Sequence, residues 1–357
     1  MLVLGIESSC DETAAAVVAD GTRLVSSVIS SQIPIHKSFG GVVPEIASRE
    51  HLNRIVPVVE EAFARAEIKA HNIDGIAVTT GPGLVGSLLV GVSYAKALGY
   101  ALGKPFVGVN HIEGHVYSVV FENPPIKFPA LALIVSGGHT NLFYIPIEGR
   151  YKIISRTRDD AAGEAFDKVA KMIGLGYPGG AVIERLASEG DARAIKFNVA
   201  QMSDGRLDFS FSGLKTAVAK FMREHDLPPL TEGETPSQIV KDLAASFQAT
   251  VIRSLINTTR KQAREYQPKT LIVAGGVACN KSLRAAAQAL ADEREIALYL
   301  PSPHLSTDNA AMIAAAGTAK LASGLHDGLN LNADVTLRLQ NFESEDELLR
   351  GRVHYKL

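Results

Sequence analysis

The chain opens with an apolar run from Leu2 to Ile6, turns polar through Ser8-Ser9-Cys10-Asp11-Glu12-Thr13, and is apolar again from Ala14 to Ala19. Two short apolar runs around a polar loop predict a hairpin. The same design returns at Leu131 to Val135, Ser136-Gly137-Gly138-His139-Thr140, and Leu142 to Ile147. Each hairpin is followed, at a distance, by a strand, a glycine turn and a helix. In the first set these are Ile76 to Thr80, Gly81-Pro82-Gly83, and a helix from Leu84 to Leu98. In the second they are Leu271 to Ala274, Gly275-Gly276, and a helix from about Asn280 to Leu290. A last strand closes each set, Phe106 to Val109 and Ala297 to Leu300, and both run into polar clusters. Two copies of one unit account for this order better than chance does, and a repeat fixes the architecture.

Duplicated α/β lobes that each open with strand–turn–strand are the arrangement of the actin-like ATPases and sugar kinases, a fold analogy that by itself assigns no function. The expected organisation is a first lobe over 1–128, a second over 129–330, and a C-terminal tail over 331–357, with a nucleotide cleft between the lobes. The second lobe carries an insertion at about 159–241. It contains a helix with Phe166, Val169, Ala170 and Ile173 at helical spacing, then a loop with Gly174, Gly176, Gly179 and Gly180. Pro228 to Pro236 reads as an exposed loop.

Composition narrows the class. A chain of 357 residues suits two domains, and 46% hydrophobic with 21% charged residues is a globular composition. The net charge of −2 lacks the basic excess of a dedicated nucleic-acid binder, so contact with RNA needs a local patch or a partner. Two cysteines, Cys10 and Cys279, make no disulfide framework and fit a reducing compartment. The uncharged stretch Gly75 to Ala95 has the length of a membrane span, yet Gly81-Pro82-Gly83 breaks it into strand, turn and helix. No positive region precedes the first apolar run and Glu7 ends it, which argues against a signal peptide. A cytoplasmic protein without membrane attachment is expected.

Candidate chemistry gathers in the polar clusters. Glycine and serine turns let backbone N–H groups approach an anion, and a following helix adds its positive end; the alternative is two ordinary hairpin turns. His111 and His115 stand four residues apart, on one face of a helix, and can share a cation. Their place after an apolar strand is where α/β sheets put ligands. Asp308, at the matching place in the second copy, is the expected third ligand, contributed by the opposite lobe; His304 competes for that role from a Pro-rich turn. A zinc-peptidase reading fails on geometry. Glu113 falls two residues after His111, about 200° around an ideal helix, and points away from the metal face. Asp167, Glu184 and Asn280 flank glycine loops, where carboxylates bond ribose hydroxyls and Asn caps helices; solvated helix faces and a plain N-cap explain them equally. Arg156 and Arg158 form a small basic cluster that reads as wetted surface. Asp11 and Glu12 can bind metal, orient a nucleophile or stabilise their turn.

Taken as a set, the motifs resemble one family. They are Glu7 to Thr13 (ESSCDET), Gly40 to Arg49 (GGVVPEIASR), Gly81-Pro82-Gly83, His111 with His115, Val135 to Thr140 (VSGGHT), Gly174 to Gly180 (GLGYPGG), Phe209 to Lys215 (FSFSGLK), and Gly275 to Asn280 (GGVACN). In this order, over the chain to about Lys320, they resemble the TsaD family of tRNA threonylcarbamoyladenosine-forming transferases, once labelled O-sialoglycoprotein endopeptidases. The resemblance implies an actin-like ATPase fold and an acyltransferase. It would move a threonylcarbamoyl group from threonylcarbamoyl-adenylate to N6 of adenosine 37 in tRNAs reading codons that begin with A, and AMP would leave.

By the same resemblance His111, His115 and Asp308 hold one iron or zinc ion. Ile134, Val135, Ser136, Gly137, Gly138, Asp167, Gly180, Glu184 and Asn280 bind the adenylate. Asp11 or Glu12 would orient or deprotonate the acceptor amine. The implied partners are tRNA, a paralogous TsaB-like protein and a small TsaE-like ATPase. Two departures stand out: Ile134 replaces a tyrosine ligand of archaeal and eukaryotic relatives, and Ala181 and Glu184 stand where many relatives have Pro and Asp. Rival readings are an actin-like kinase, which would want an oxygen-rich magnesium site, and a non-catalytic nucleotide-gated scaffold.

Overall fold

The computed structural model describes residues 1–199, 202, 204–231 and 233–341. The chain forms two compact units, Met1–Ile126 together with the described residues from Pro301, and Lys127–Leu300. In the first, β1 (Leu2–Glu7), β2 (Glu12–Ala19), β3 (Arg23–Ser31), β4 (Gly75–Gly81) and β5 (Phe106–Asn110) form one sheet in the order β3-β2-β1-β4-β5. β1 and β2 pair antiparallel, as do β2 and β3, while β4 runs parallel to β1 and β5 parallel to β4.

Around β1 and β2 both faces of this sheet are covered, so those two strands read as apolar runs and the two-residue period sorts their side chains between two cores, while the edge strand β3 is half exposed. Leu4, Ile6, Ala15 and Val17 pack with Ile55, Val59 and Ala62 of the helix Pro44–Arg65 and with Val92 and Ala95 of the helix Val85–Leu102. Val3, Ala14, Ala16 and Val18 pack on the other side against Ala311, Ala314 and their neighbours in the helix Ala310–Ala322. That helix approaches so closely that a Cβ at Gly5 would collide with the Ala310 carbonyl oxygen and with Ala314.

The second unit repeats the plan. β6 (Ala130–Val135), β7 (Thr140–Ile145), β8 (Lys152–Arg156), β9 (Thr270–Ala274) and β10 (Ala297–Tyr299) lie in the order β10-β9-β6-β7-β8, with the same strand senses. Leu131, Leu133 and Val135 share a core with the helices Ala162–Ile173, Gly179–Ala187, Ser212–Glu224, Gln238–Tyr266 and Lys281–Arg294. Phe166, Val169, Ala170 and Ile173 are all buried, as their spacing predicts. The described residues of 228–236 form neither helix nor strand.

The division differs from the sequence expectation in one respect. The break falls at 126/127, and 301–330, expected in the second lobe, packs with the first sheet through the helix Ala310–Ala322. Repeat symmetry carried that segment to the wrong lobe, because a small-residue helix reads the same on either sheet. Of the expected tail, residues 331–341 also lie along the first unit. Lys96 Nζ donates to the Leu331 carbonyl at 3.0 Å, the Asp334 N–H to the Thr80 carbonyl at 2.8 Å, and Asn110 Nδ2 to the Leu337 carbonyl at 3.4 Å. Residues 342–357 of that tail lie outside the described residues. Among the described residues one helix, Val85–Leu102, is long and apolar enough to cross a membrane. It packs on β4 and on the helix Pro44–Arg65, the strand–turn–helix reading expected of this stretch.

Candidate active site

Three neighbouring strands of the first unit end at one place. β1 ends at Glu7 and β4 passes Thr79. β5 ends at Asn110, whose side chain accepts from the Ile112 N–H at 2.9 Å and so caps the helix His111–Tyr117. One helical turn then puts His111 and His115 side by side, ring centroids 4.8 Å apart at 82°. Asp308 comes from the segment ahead of the helix Ala310–Ala322, where Asn309 is the N-cap and accepts from the Met312 N–H at 3.0 Å. Asp308 Oδ1 lies 3.5 Å from His111 Nε2 and 3.2 Å from His115 Nε2. It belongs to the same compact unit as the histidines, so the expectation of a ligand from the opposite lobe is corrected.

The donor set fits one metal ion. Ligand atoms about 2.0–2.1 Å from a tetrahedral ion sit roughly 3.3 Å apart, and the two Asp308 distances straddle that value. A potential ligand atom from each residue falls within a 4.8 Å group. His115 has no exposed surface, and neither of its ring nitrogens makes a well-formed hydrogen bond. Burying an unpaired imidazole is costly, and a cation at Nε2 removes part of that cost. Three protein donors leave a coordination position open, the pattern of a catalytic rather than a structural site. Glu113 turns away, as its spacing requires: its Oε2 pairs with Lys320 Nζ at 2.8 Å. His304 is exposed, bonded to Ser302 Oγ at 3.1 Å, and stands outside the group.

Electrostatics around the ligands are strong. Burial opposes ionisation of His111, yet Asp308 and Glu7 outweigh it and hold the imidazole well above its ordinary range. Burial alone would raise the Asp308 carboxyl; the adjoining His111 holds it well below the usual value. Glu7, fully buried, is held low by His111 against the same penalty. Asp11 is buried in the loop after β1, and Glu12 opens β2 with Oε1 accepting from Ser31 Oγ at 2.9 Å. Burial, with Asp11 and Asp308 nearby, pushes Glu12 up to about 9. In the metal-free protein Glu12 is therefore a neutral acid at pH 7.

The second unit gathers most of the other expected residues. The loop Ser136–His139 closes on itself, the Ser136 N–H donating to the His139 carbonyl at 2.8 Å. It abuts the start of the helix Ala162–Ile173, whose Gly163 N–H donates to the Ser136 carbonyl at 3.2 Å. A side chain on Gly163 would strike Ser136 and Gly137, whereas Gly137 and Gly138 face open space. Asp167 Oδ1 accepts from the Gly179 N–H at 2.7 Å and pins the first turn that carries Gly180. Glu184 Oε1 accepts from the Lys281 N–H at 2.6 Å. Asn280 caps the helix Lys281–Arg294 through the Leu283 N–H at 3.0 Å and donates to Gln248 Oε1 at 2.7 Å. Ile134 and Val135 have no exposed surface; they are paired within β6 and carry the loop that follows. Sequence reading missed Gln248 and Glu7. Gln248 gave no signal, but Glu7 gave one, as an acid ending an otherwise apolar strand.

Twin sheets of one strand order, each opening with a hairpin, define an α/β protein of the actin-like ATPase, sugar kinase-type fold, with a His-His-Asp cluster in its first unit that fits a single metal ion. Solved structures of this shape include component A of the (R)-2-hydroxyglutaryl-CoA dehydratase of Acidaminococcus fermentans. It is 15% identical, has a TM-score of 0.51, and the match covers 90% of this chain and 99% of that one. HypF of T. kodakarensis is also 15% identical with a TM-score of 0.58, over 90% of this chain and 48% of that one. Likeness at this identity speaks for fold alone. The sequence is decisive for the family: residues 23–315 match the family model described as TsaD: tRNA N6-adenosine threonylcarbamoyltransferase.

Proteins of that name from Anaeromyxobacter dehalogenans (53% identical over 94% of this chain and 99% of theirs) and Trichlorobacter lovleyi (51% over 98% and 100%) are among its relatives. The chain belongs to the family of tRNA N6-adenosine threonylcarbamoyltransferases. It is accordingly a transferase that modifies tRNA by threonylcarbamoyl transfer, and the kinase and scaffold alternatives are not favoured.

Proposed function

We propose that the donor is threonylcarbamoyl-adenylate and the acceptor N6 of adenosine 37 in tRNAs reading codons that begin with A. In this reaction the N6 nitrogen attacks the carbamoyl carbon, the carbon–oxygen bond to phosphate breaks, AMP leaves with that electron pair, and N6 loses a proton. The observation that carries the reading is the His111–His115–Asp308 cluster in a chain of this family. Those three residues would hold iron(II) or zinc, since His and Asp donors suit both. When bound, the ion supplies Lewis acidity and a fixed anchor for the donor.

The chain's own residues supply the rest. The exposed turn at Gly137 and Gly138, with Ser136, beside the N-terminus of the helix Ala162–Ile173, suits an anionic phosphate. Asp167, Gly180, Glu184 and Asn280 are tied into one framework by the hydrogen bonds to Gly179, Lys281 and Gln248, a preorganised setting for the adenosine. An adenine amine is a weak nucleophile, so positioning counts for more than a strong base. Asp11 or Glu12, side by side at the start of β2, would orient the amine or receive its proton.

A paralogous TsaB-like protein fits an exposed apolar face: Leu52 and Val56 on the helix Pro44–Arg65, and Val85 and Leu89 on the adjoining helix Val85–Leu102. Leu52→Glu with Val56→Glu should abolish the complex on size-exclusion chromatography while metal binding persists; a complex of unchanged stability would remove this face from consideration. The family reading adds a small TsaE-like ATPase and a cytoplasmic location, where the tRNA is.

The test is a transfer assay with partners, threonylcarbamoyl-adenylate and unmodified tRNA, read by mass spectrometry of adenosine 37. Wild type should modify it and the His111→Ala, His115→Ala double variant should not. Modification surviving in the double variant would reduce the ion to a structural role. No modification by wild type with every partner present would favour a scaffold.

A further inference from the structure

The metal ligands do not stand alone. Behind His111, on the side away from Asp308, lies Glu7, a carboxylate with no exposed surface. Its Oε2 is 3.0 Å from His111 Nδ1 and accepts from Thr79 Oγ1 at 2.7 Å, while Oε1 accepts from the Ser9 N–H. Ser9 Oγ adds a longer approach to the same ring nitrogen at 3.2 Å. Both oxygens of Glu7 are therefore committed to donors, and it is no ligand itself. His115 has nothing comparable, since its Nδ1 is buried without a hydrogen-bond partner.

We propose that Glu7 is the positioning residue of the metal centre: it fixes the proton of His111 on Nδ1, leaves the Nε2 lone pair for the ion, and raises the basicity of that ligand. The inference rests on the reading of His111, His115 and Asp308 as a metal site. An imidazole that donates from one nitrogen presents the other as its ligand atom, and a carboxylate acceptor also increases charge donation to the metal. The strands supply the geometry. β1 and β4 pair in parallel with Ile6 beside Val78, so Glu7 and Thr79 come next to each other; β5, beside β4, delivers His111 just past its end.

The arrangement makes Glu7→Gln an informative change. An amide offers one acceptor and one donor where Glu7 offers two acceptors. With its NH2 toward Ser9, a backbone N–H faces another donor. With its NH2 toward His111, the imidazole must accept at Nδ1 and carry its proton on Nε2, where the ion would bind. Neither orientation reproduces the native pattern, though volume is conserved.

The experiment is titration of the metal-free full-length chain with Zn²⁺ against a competing chelator, for wild type, Glu7→Gln and His115→Ala. The expected result is a loss of zinc affinity of about 10- to 100-fold in Glu7→Gln, measured on samples that a metal-free melt shows to be folded, and loss of the site in His115→Ala. Wild-type affinity in Glu7→Gln, with binding lost in His115→Ala, would overturn the role of Glu7 and keep the site. Equal binding by all three would overturn both. A second measurement needs no variant. In zinc-loaded wild type labelled with 15N-histidine, His111 should show a retained Nδ1–H and a metallated Nε2; coordination through Nδ1 would overturn the proposal even if Glu7→Gln does not fold.

Discussion

Glu12 and His111 give the metal-free protein a pH dependence that can be worked out residue by residue. Glu12 is raised to about 9 in the fold by burial and its acidic neighbours, whereas unfolded it titrates near 4.3. Between those values the unfolded state has lost a proton that the folded state keeps, so stability falls as pH rises. His111 is held above its unfolded value, so its contribution is complete below about 6.5 and is lost as pH climbs through the folded pKa. The two effects share a sign. Thermal melts of the metal-free chain should show the melting temperature falling from pH 7 to 8.5, above the range in which His51, held low by burial, contributes the opposite slope. Glu12→Gln should flatten that slope and melt higher than wild type at pH 8; an unchanged slope would mean that Glu12 titrates normally. Because the ion must displace the His111 proton, zinc binding should strengthen with pH and release a proton near neutrality. Calorimetry in buffers of different ionisation enthalpy measures that release.

Elements set the residues where this chemistry needs them, and the helix Ala310–Ala322 is the clearest case. Its alanines and Gly317 let it lie almost against the sheet: a Cβ on Gly317 would fall on that of Ala77, as one on Gly5 would strike Ala310. Gly5→Ala should cost about 1–3 kcal/mol through overpacking and weaken zinc binding as well, since the helix it displaces carries Asp308 at its start. Denaturant unfolding and zinc titration on one sample check both; destabilisation with native affinity would show the ligand to be insulated from the packing. This helix also marks the limit of sequence reading. Apolar runs, glycine turns and the Asn280 cap were legible, and strand and helix bounds came within a few residues for both copies, whereas the Asn110 and Asn309 caps were not read. The sheet against which Ala310–Ala322 packs was not, because pattern records that a face is apolar and not which face it meets. Glu7 escaped for a related reason: its partners Thr79 and His111 become neighbours only through the β1-β4-β5 order, which no local window contains.

For the whole molecule, the metal should act as a ligand of the native state of one unit. At a free concentration of 1,000 times Kd it would stabilise that unit by about 4 kcal/mol. Amide hydrogen exchange with and without zinc should show protection rising around Glu7 to Glu12, Asn110 to Tyr117 and Thr307 to Met312. Protection unchanged at these segments would mean that the ion sits elsewhere. The repeat and both hairpins were readable from the chain, as was the grouping of His111, His115 and Asp308, though not the unit from which Asp308 comes. What the sequence hid was the return of the chain to its first sheet after Leu300.

That return has a consequence for how the protein is made. His111 and His115 leave the ribosome long before Asp308, because all of Lys127–Leu300 is translated in between. At ~5–20 residues per second the delay is roughly 10–40 s. Throughout it the first sheet lacks the helix that seals one of its faces, and the two histidines lack their carboxylate. The nascent chain therefore carries exposed apolar strands and an incomplete histidine pair together, and the set of three residues is complete only once Asp308 has been made.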